Sequence, residues 1–213
     1  MTIICPVRDC NLCERLVEFR QDNQKKYPTY YNGPVPSFGD LNSEVLIIGL
    51  APGLNGANQT GRPFTGDYAG DILYPALKEF GFAKGNYDKR IDDGFELINI
   101  RITNGVRCVP PQNKVTTKEV NNCKEFLISE IENMPNLKLV LTLGSVAHNA
   151  FLGALGYAKS KFKFGHNKNH SLDNHNLQLL NSYHTSRYNI NTGVLTSEMF
   201  NDVIKNMKNF VRK

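Results

Sequence analysis

Residues 44–50 read Glu-Val-Leu-Ile-Ile-Gly-Leu and run directly into Ala51-Pro52-Gly53. A short, unbroken run of aliphatic and β-branched side chains closed by Gly and Pro is the pattern of a strand that ends in a tight loop. Three further segments share it: 95–103 (FELINIRIT), 137–143 (LKLVLTL) and 177–183 (LQLLNSY). Helix-like stretches fall at 70–80, 118–133, 145–155 and 197–211. The second opens on Thr116-Thr117-Lys118-Glu119, a capping box, and the last carries Met199, Val203, Met207 and Phe210 at helical spacing beside Phe200, Ile204 and Val211. Strands alternating with helices of this length require right-handed crossovers. The expected fold is therefore α/β, a three-layer α-β-α arrangement around a central four-stranded parallel sheet. No repeat or linker divides the chain, so residues 1–213 read as one domain. Residues 1–43 form an N-terminal extension of weak periodicity, with a short helix at 15–20 and a Pro/Tyr/Gly-rich loop at 27–39.

Composition bounds the function. With 213 residues, 40% of them hydrophobic and 21% charged, the chain can bury a sizeable core and does not resemble a disordered protein. Lys+Arg 25 against Asp+Glu 20 leaves a net charge of +5, which permits a polyanionic partner without requiring one. No apolar run approaches the ~18–20 residues needed to cross a bilayer. The N-terminus lacks the charged start and apolar stretch of a secretory signal, so a soluble, cytoplasmic protein is expected. Five cysteines, an odd number in such a chain, argue against a disulfide framework and for a reduced compartment.

Cys10-Asn11-Leu12-Cys13 is a C-x2-C knuckle; Cys108 follows the second strand and Cys123 lies in the helix beyond. Two close and two distant thiols can close a tetrahedral site for zinc or for an iron–sulfur cluster, and equally can be buried small hydrophobes with a chance pair beside them. A metal would staple the N-terminal extension to the helical layer. Cys5 is left over.

In an open parallel sheet, ligands bind beyond the carboxyl ends of the strands. Those ends are unusual here. The first leads into a glycine-dense loop, residues 49–67, that finishes Phe64-Thr65-Gly66-Asp67 and lacks the Gly-Lys-Ser/Thr of a triphosphate loop. Phe64 is either a stacking platform for a planar base or a core anchor, and Asp67 either a general base or the cap of the following helix. Asn104 after the second strand offers a donor and an acceptor, or simply a turn. His184 after the fourth can donate to an oxyanion, or is structural. No Ser/His/Asp order or metal-binding histidine pair appears, which leaves nucleophilic-serine and catalytic-zinc hydrolysis without support.

Taken together, GLAPG (49–53), TGRPFTGD (60–67), TNGVRCVPPQNK (103–114) and SYHTSR (182–187) with Asn191-Thr192-Gly193, preceded by the Cys10–Cys13 knuckle, resemble the iron–sulfur branch of the uracil-DNA glycosylase superfamily, most closely its family 5, the B-type enzymes of thermophiles. The resemblance implies a [4Fe-4S] cluster on Cys10, Cys13, Cys108 and Cys123. It also implies hydrolysis of the N-glycosidic bond of uracil, and of other deaminated bases such as hypoxanthine and xanthine, after the nucleotide is flipped from DNA. An abasic site is left, and with no lysine nucleophile the strand stays uncut.

On this reading Phe64 stacks on the base, and backbone groups at Gly49, Leu50, Ala51 and Gly53 line its edge. Asn104 orients the base and His184 stabilises charge on it as it departs. Leu50 and Ala51 stand where other branches carry acidic or amide residues, so the residue that activates water is expected at Asp67, with Asp71 one turn on as the fallback. Ser145, Ser186, Arg187 and Tyr188 are expected at the DNA, with Arg62, Arg107 and Lys114 near the same rim. The loop reads His-Thr-Ser where several branches have His-Pro-Ser. Two alternatives remain: a family 4-like, uracil-specific enzyme, against which Leu50 counts because that family has Glu there, or a non-catalytic iron–sulfur DNA-binding module. A monomer is expected, with a sliding clamp as a further partner.

Overall fold

The computed structural model describes residues 2–211. The chain runs through α1 (Glu14–Lys26), β1 (Val45–Gly49), α2 (Ala57–Thr60), α3 (Tyr68–Glu79), β2 (Ala83–Lys84), β3 (Glu96–Leu97), β4 (Ile100–Asn104), α4 (Thr117–Glu132), β5 (Leu139–Leu143), α5 (Ser145–Ala154), β6 (Asn169–Leu172), β7 (Leu177–Ser182), α6 (Arg187–Asn191) and α7 (Ser197–Val211). The main sheet has the order β4-β1-β5-β7-β6. Its first four strands are mutually parallel, as expected. The fifth corrects the four-stranded reading, because β6 joins β7 antiparallel at the edge. Its sequence, Asn169-His170-Ser171-Leu172, buries only Leu172 fully and so carries no apolar run to betray a strand.

Helices cover both faces of this sheet. Val45 and Ile47 point to one side, where Leu73 and Leu77 of α3 meet Phe200, Val203 and Met207 of α7. Leu46 and Ile48 point to the other, against Leu127 and Ile131 of α4 and Phe151 and Leu152 of α5. Successive strand residues face opposite ways, so a strand covered on both faces is apolar throughout.

The predicted strand 95–103 is broken in two. Asn99 adopts a left-handed backbone (φ 58°) that Asn tolerates, and its side chain accepts a hydrogen bond from the Glu44 amide at 2.8 Å. Only Ile100–Asn104 enters the main sheet; Glu96–Leu97 pairs with Ala83–Lys84 in a small hairpin. The N-terminal helix is longer than the expected 15–20. Its Leu16 packs on Val106, Cys123 and Phe126, while Arg15 pairs with Glu119 at 2.8 Å. Glu119 and Thr116 form the anticipated capping box of α4.

Candidate active site

The C-terminal ends of β1, β4 and β7 converge on a cavity of about 400 Å³ lined by the 50–53 loop, Phe64, Asp67, Asn104, His184, Ser186 and Arg187. Parallel pairing fixes how two of these meet. Gly49 and Asn104 are register partners in β1 and β4. A Cβ at position 49 would lie 2.5 Å from Asn104 Oδ1 and 2.7 Å from Phe64 Cζ, so only glycine lets the amide and the ring close over this strand end. Gly49 is itself buried beneath the cavity, a spacer below the floor and not part of its lining.

Phe64 holds a left-handed backbone (φ 54°), an uncommon conformation for an aromatic residue. The surrounding loop fixes it there. Its carbonyl accepts from the Tyr87 hydroxyl at 3.3 Å, and its neighbour Thr65 accepts from Arg62 Nε at 2.8 Å. Its ring centroid lies 6.2 Å from that of His184.

Asp67 is the cap of the following helix, α3, accepting the Gly70 amide at 3.2 Å, and its side chain also reaches the cavity. Burial is the main influence on its carboxyl and pushes its pKa above the ordinary value. Gly56 admits it, since a Cβ there would come within 2.4 Å of Asp67 Oδ2. Asp71, the fallback, turns to Lys89 at 2.8 Å and does not line the cavity.

Burial also lowers the His184 pKa, keeping its imidazole neutral near pH 7. The loop that carries it is tied to α3, as Thr185 Oγ1 donates to the Ala69 carbonyl at 3.2 Å and Asn189 Nδ2 donates to the His184 carbonyl at 2.8 Å. The Thr that departs from His-Pro-Ser thus fastens this loop to the helix that Asp67 caps. Neither the Asn104 amide nor the His184 ring has a protein hydrogen-bond partner among the described residues; both face the cavity with their polar atoms free.

The expected DNA-facing residues divide. Ser186 and Arg187 reach the cavity, with Arg187 stacked 5.2 Å from the Tyr68 ring centroid. Tyr188 is 73% exposed beside it. Ser145 opens an adjoining depression of about 410 Å³ that shares Leu50 and His184 with the cavity. Arg62 and Arg107 correct the expectation for the rim. Both are buried: Arg62 pairs with Asp93 at 2.7 Å, and Arg107 pairs with Glu130. Lys114 is exposed. Tyr68 and Asn113 line the cavity without having been singled out in the sequence. Tyr68 directly follows Asp67, and Asn113 lies within the 103–114 motif, at the end of a 3-10 turn over Pro111–Asn113.

Cys10, Cys13, Cys108 and Cys123 line one small cavity between α1 and α4. Burial pushes the Cys108 thiol up to about 12 and Cys123 up to about 11. Arg20 reaches the same cavity. Its Nη2 donates to the Cys10 carbonyl at 2.9 Å, and its buried Nη1 has no protein partner. Among the described residues no three His, Cys, Asp or Glu side chains close around a single ion. Cys5 is exposed and is not part of this lining.

Comparison with known proteins identifies the family. Residues 36–208 match the model of the uracil DNA glycosylase superfamily. The chain is 40% identical over 204 residues to a type-5 uracil-DNA glycosylase of Thermus thermophilus, covering 93% of this chain and 92% of the relative. It is 38% identical to the type-5 uracil-DNA glycosylase of Pyrobaculum aerophilum, covering 92% and 87%. A type-4 uracil-DNA glycosylase of Pyrobaculum aerophilum is 31% identical over 133 residues, covering 62% and 60%.

Proposed function

The chain belongs to the uracil DNA glycosylase superfamily, and on that premise we propose that the cavity over β1, β4 and β7 receives a base flipped out of DNA and is where its bond to the sugar is cut. The chain is a uracil-DNA glycosylase of the type-5 family, a hydrolase of N-glycosyl bonds acting in base excision repair. The observation that carries the assignment of the site is the pair of free polar groups, the Asn104 amide and the His184 imidazole, lining one cavity with the Phe64 ring.

Base release leaves negative charge on the departing base and positive charge on the sugar. Phe64 stacks on the base, its ring held by a backbone that pays for the conformation elsewhere in the loop. Asn104 offers one donor and one acceptor to the base edge. His184, neutral because it is buried, donates to the oxygen on which the departing base gathers charge; such preorganised donors act strongly in a site that excludes water. The Asp67 carboxylate holds the water that attacks the sugar and takes its proton. With Leu50 and Ala51 at the first strand end, no ionisable side chain there rejects a larger base, which supports hypoxanthine and xanthine as further substrates. The more distant likeness to the type-4 enzyme and the Leu at position 50 favour the broader reading over a uracil-restricted one. Ser145, Ser186, Arg187 and Tyr188 take the strand around the flipped nucleotide.

The residues around the second cavity fit an iron–sulfur cluster. Cys10, Cys13, Cys108 and Cys123 supply four thiolates. Arg20, with one buried nitrogen free, suits the negative charge they bring, and the amide of Arg107 and the side-chain amide of Asn122 each donate to a cysteine sulfur, at 3.5 Å. Held by these four thiolates, a [4Fe-4S] cluster would brace the segment before α1 against α4 and the loop after β4. The fold reads as one domain with the N-terminal segment braced onto it in this way.

A panel of duplexes carrying uracil, hypoxanthine or xanthine tests the functional reading through the free base released. Release of uracil together with at least one of the purines is expected. Release of uracil alone returns the chain to the narrower reading, and binding without any release makes it a non-catalytic module.

A further inference from the structure

A polycationic segment lies outside the cavity. Residues 159–170 read Lys-Ser-Lys-Phe-Lys-Phe-Gly-His-Asn-Lys-Asn-His, and no Asp or Glu occurs from position 156 to position 172. Lys159, Lys161, Lys163 and Lys168 are all exposed, and none forms an ion pair among the described residues. Charges of one sign held together without partners repel one another, an arrangement that a polyanion relieves.

The strap is also fixed in place. Phe162 packs against the α5 side of the sheet, and Phe164 lies edge-on to the His148 ring at 5.6 Å, so the aromatic residues turn inward between exposed lysines. The buried His148 holds the Phe162 carbonyl through Nε2 at 2.7 Å and Asn181 Oδ1 through Nδ1 at 2.8 Å. Asn181 Nδ2 in turn donates to the Lys168 carbonyl at 3.2 Å, and His170 Nε2 meets the Lys163 carbonyl at 3.1 Å. Lysines on an edge strand also discourage pairing between sheets. That explains Lys168, which adjoins β6, but not the three that precede it. A pinned backbone leaves only the side chains of the four lysines to be ordered on binding.

The position of the strap indicates its partner. Phe164, which follows Lys163, lines the depression that also holds Ser145, Tyr183 and His184, so the strap adjoins the base cavity, while Lys159 lines a separate depression between α4 and α5. We propose that Lys159, Lys161, Lys163 and Lys168 form a track for the phosphodiester backbone of the duplex flanking the lesion. The proposal rests on the base-excision reading of the neighbouring cavity.

The test is the salt dependence of binding and excision with wild-type protein, a quadruple Lys→Gln variant and a quadruple Lys→Arg variant. Each lost phosphate contact flattens the slope of log K against log [salt] by about 0.9 for duplex DNA. With a uracil duplex of some thirty base pairs (~30), the Gln variant is expected to lose about 2–3.5 from the slope and at least tenfold in affinity at low salt, and the Arg variant to keep both. On a single-stranded oligonucleotide of about five nucleotides, which offers no flanking duplex, all three proteins are expected to release uracil equally well. Wild-type slope and affinity in the Gln variant would overturn the proposal while leaving the excision reading intact. Absence of release from either substrate by wild-type protein would overturn the excision reading instead. Thermal melts of both variants check that the fold is kept, as four exposed side chains predict.

Discussion

Gly49 and Asn104 stand opposite each other at the ends of β1 and β4, with no room for a Cβ on the glycine before Asn104 Oδ1 is reached at 2.5 Å. The same missing Cβ admits the Phe64 ring. Gly49→Ala is therefore expected to displace both groups by some tenths of an ångström. A loss of about 1–3 kcal/mol in stability follows from overpacking. Excision should fall by roughly 10²-fold, the scale set by misplacing reacting groups. A folded Gly49→Ala protein with wild-type kcat/KM, measured under single-turnover conditions, would separate this packing from the chemistry.

His184 is held neutral by burial. His184→Asn should reduce base release by about 10²–10³-fold, the magnitude for removing a preorganised donor, while duplex affinity stays near wild type. The same burial makes stability depend on pH. The pKa values of His166, His170 and His184 all lie below the ordinary 6.5, so below pH 6.5 the unfolded chain takes up protons that the folded chain refuses. Stability contributed by these groups is present above pH 6.5 and is lost as pH falls through it. Melting temperatures at pH 7 and 5.5 should show this drop, and His184→Asn should show a smaller one.

Arg62 and Asp93 form a buried bidentate pair beneath the Phe64 loop, enclosed by the rings of Phe38, Tyr74, Tyr87 and Phe95. Asp93→Asn leaves a buried guanidinium without its counter-charge, at a cost of about 3–5 kcal/mol. For a chain of this size that lowers Tm by roughly 10 °C. The Asp93 carboxyl lies well below its ordinary 3.8 because Arg62 and two backbone amides hold its charged form against the desolvation that opposes it. Its contribution is thus present above pH 3.8 and lost as pH falls through the depressed value. Acid unfolding of Asp93→Asn should accordingly be shallower than that of wild type.

The four cysteines at the α1–α4 cavity and the exposed Cys5 make opposite predictions. Cys108→Ser is expected to remove the broad visible absorption of reconstituted protein and loosen α1, seen as faster amide exchange at Leu16 and its neighbours. Cys5→Ser should leave iron, sulfide and absorption unchanged. Equal iron content in the two variants would contradict the assignment.

What could be read from the sequence follows from what periodicity encodes. The parallel strands were legible because both of their faces are covered, leaving apolar runs such as Val45–Gly49. The edge strand Asn169–Leu172 was not, since it is mostly polar and is recruited by β7. The break at Asn99 was also hidden, because a left-handed asparagine inside an apolar run leaves no periodic mark. Asn104 and His184 were legible as cavity-lining because they stand at strand ends, and Phe64 and Asp67 because they close the glycine-dense loop that leaves the first strand; the fold brings all four to one rim. Arg62 and Arg107 were misplaced for a different reason. Each neutralises a carboxylate distant in sequence, Asp93 and Glu130, and no local pattern announces such a partner.

The central claim is that Asp67 activates water in a cavity that otherwise binds and orients the base. Asparagine keeps the helix cap, and because burial raises the Asp67 pKa, removing the charge should leave stability equal or higher at pH 7. The decisive measurement is single-turnover release of uracil from a U:G duplex by Asp67→Asn, with duplex affinity measured in parallel. The account predicts a loss of at least about 10²-fold in release with binding and fold intact, within the range for removing a general base; release at the wild-type rate would contradict it.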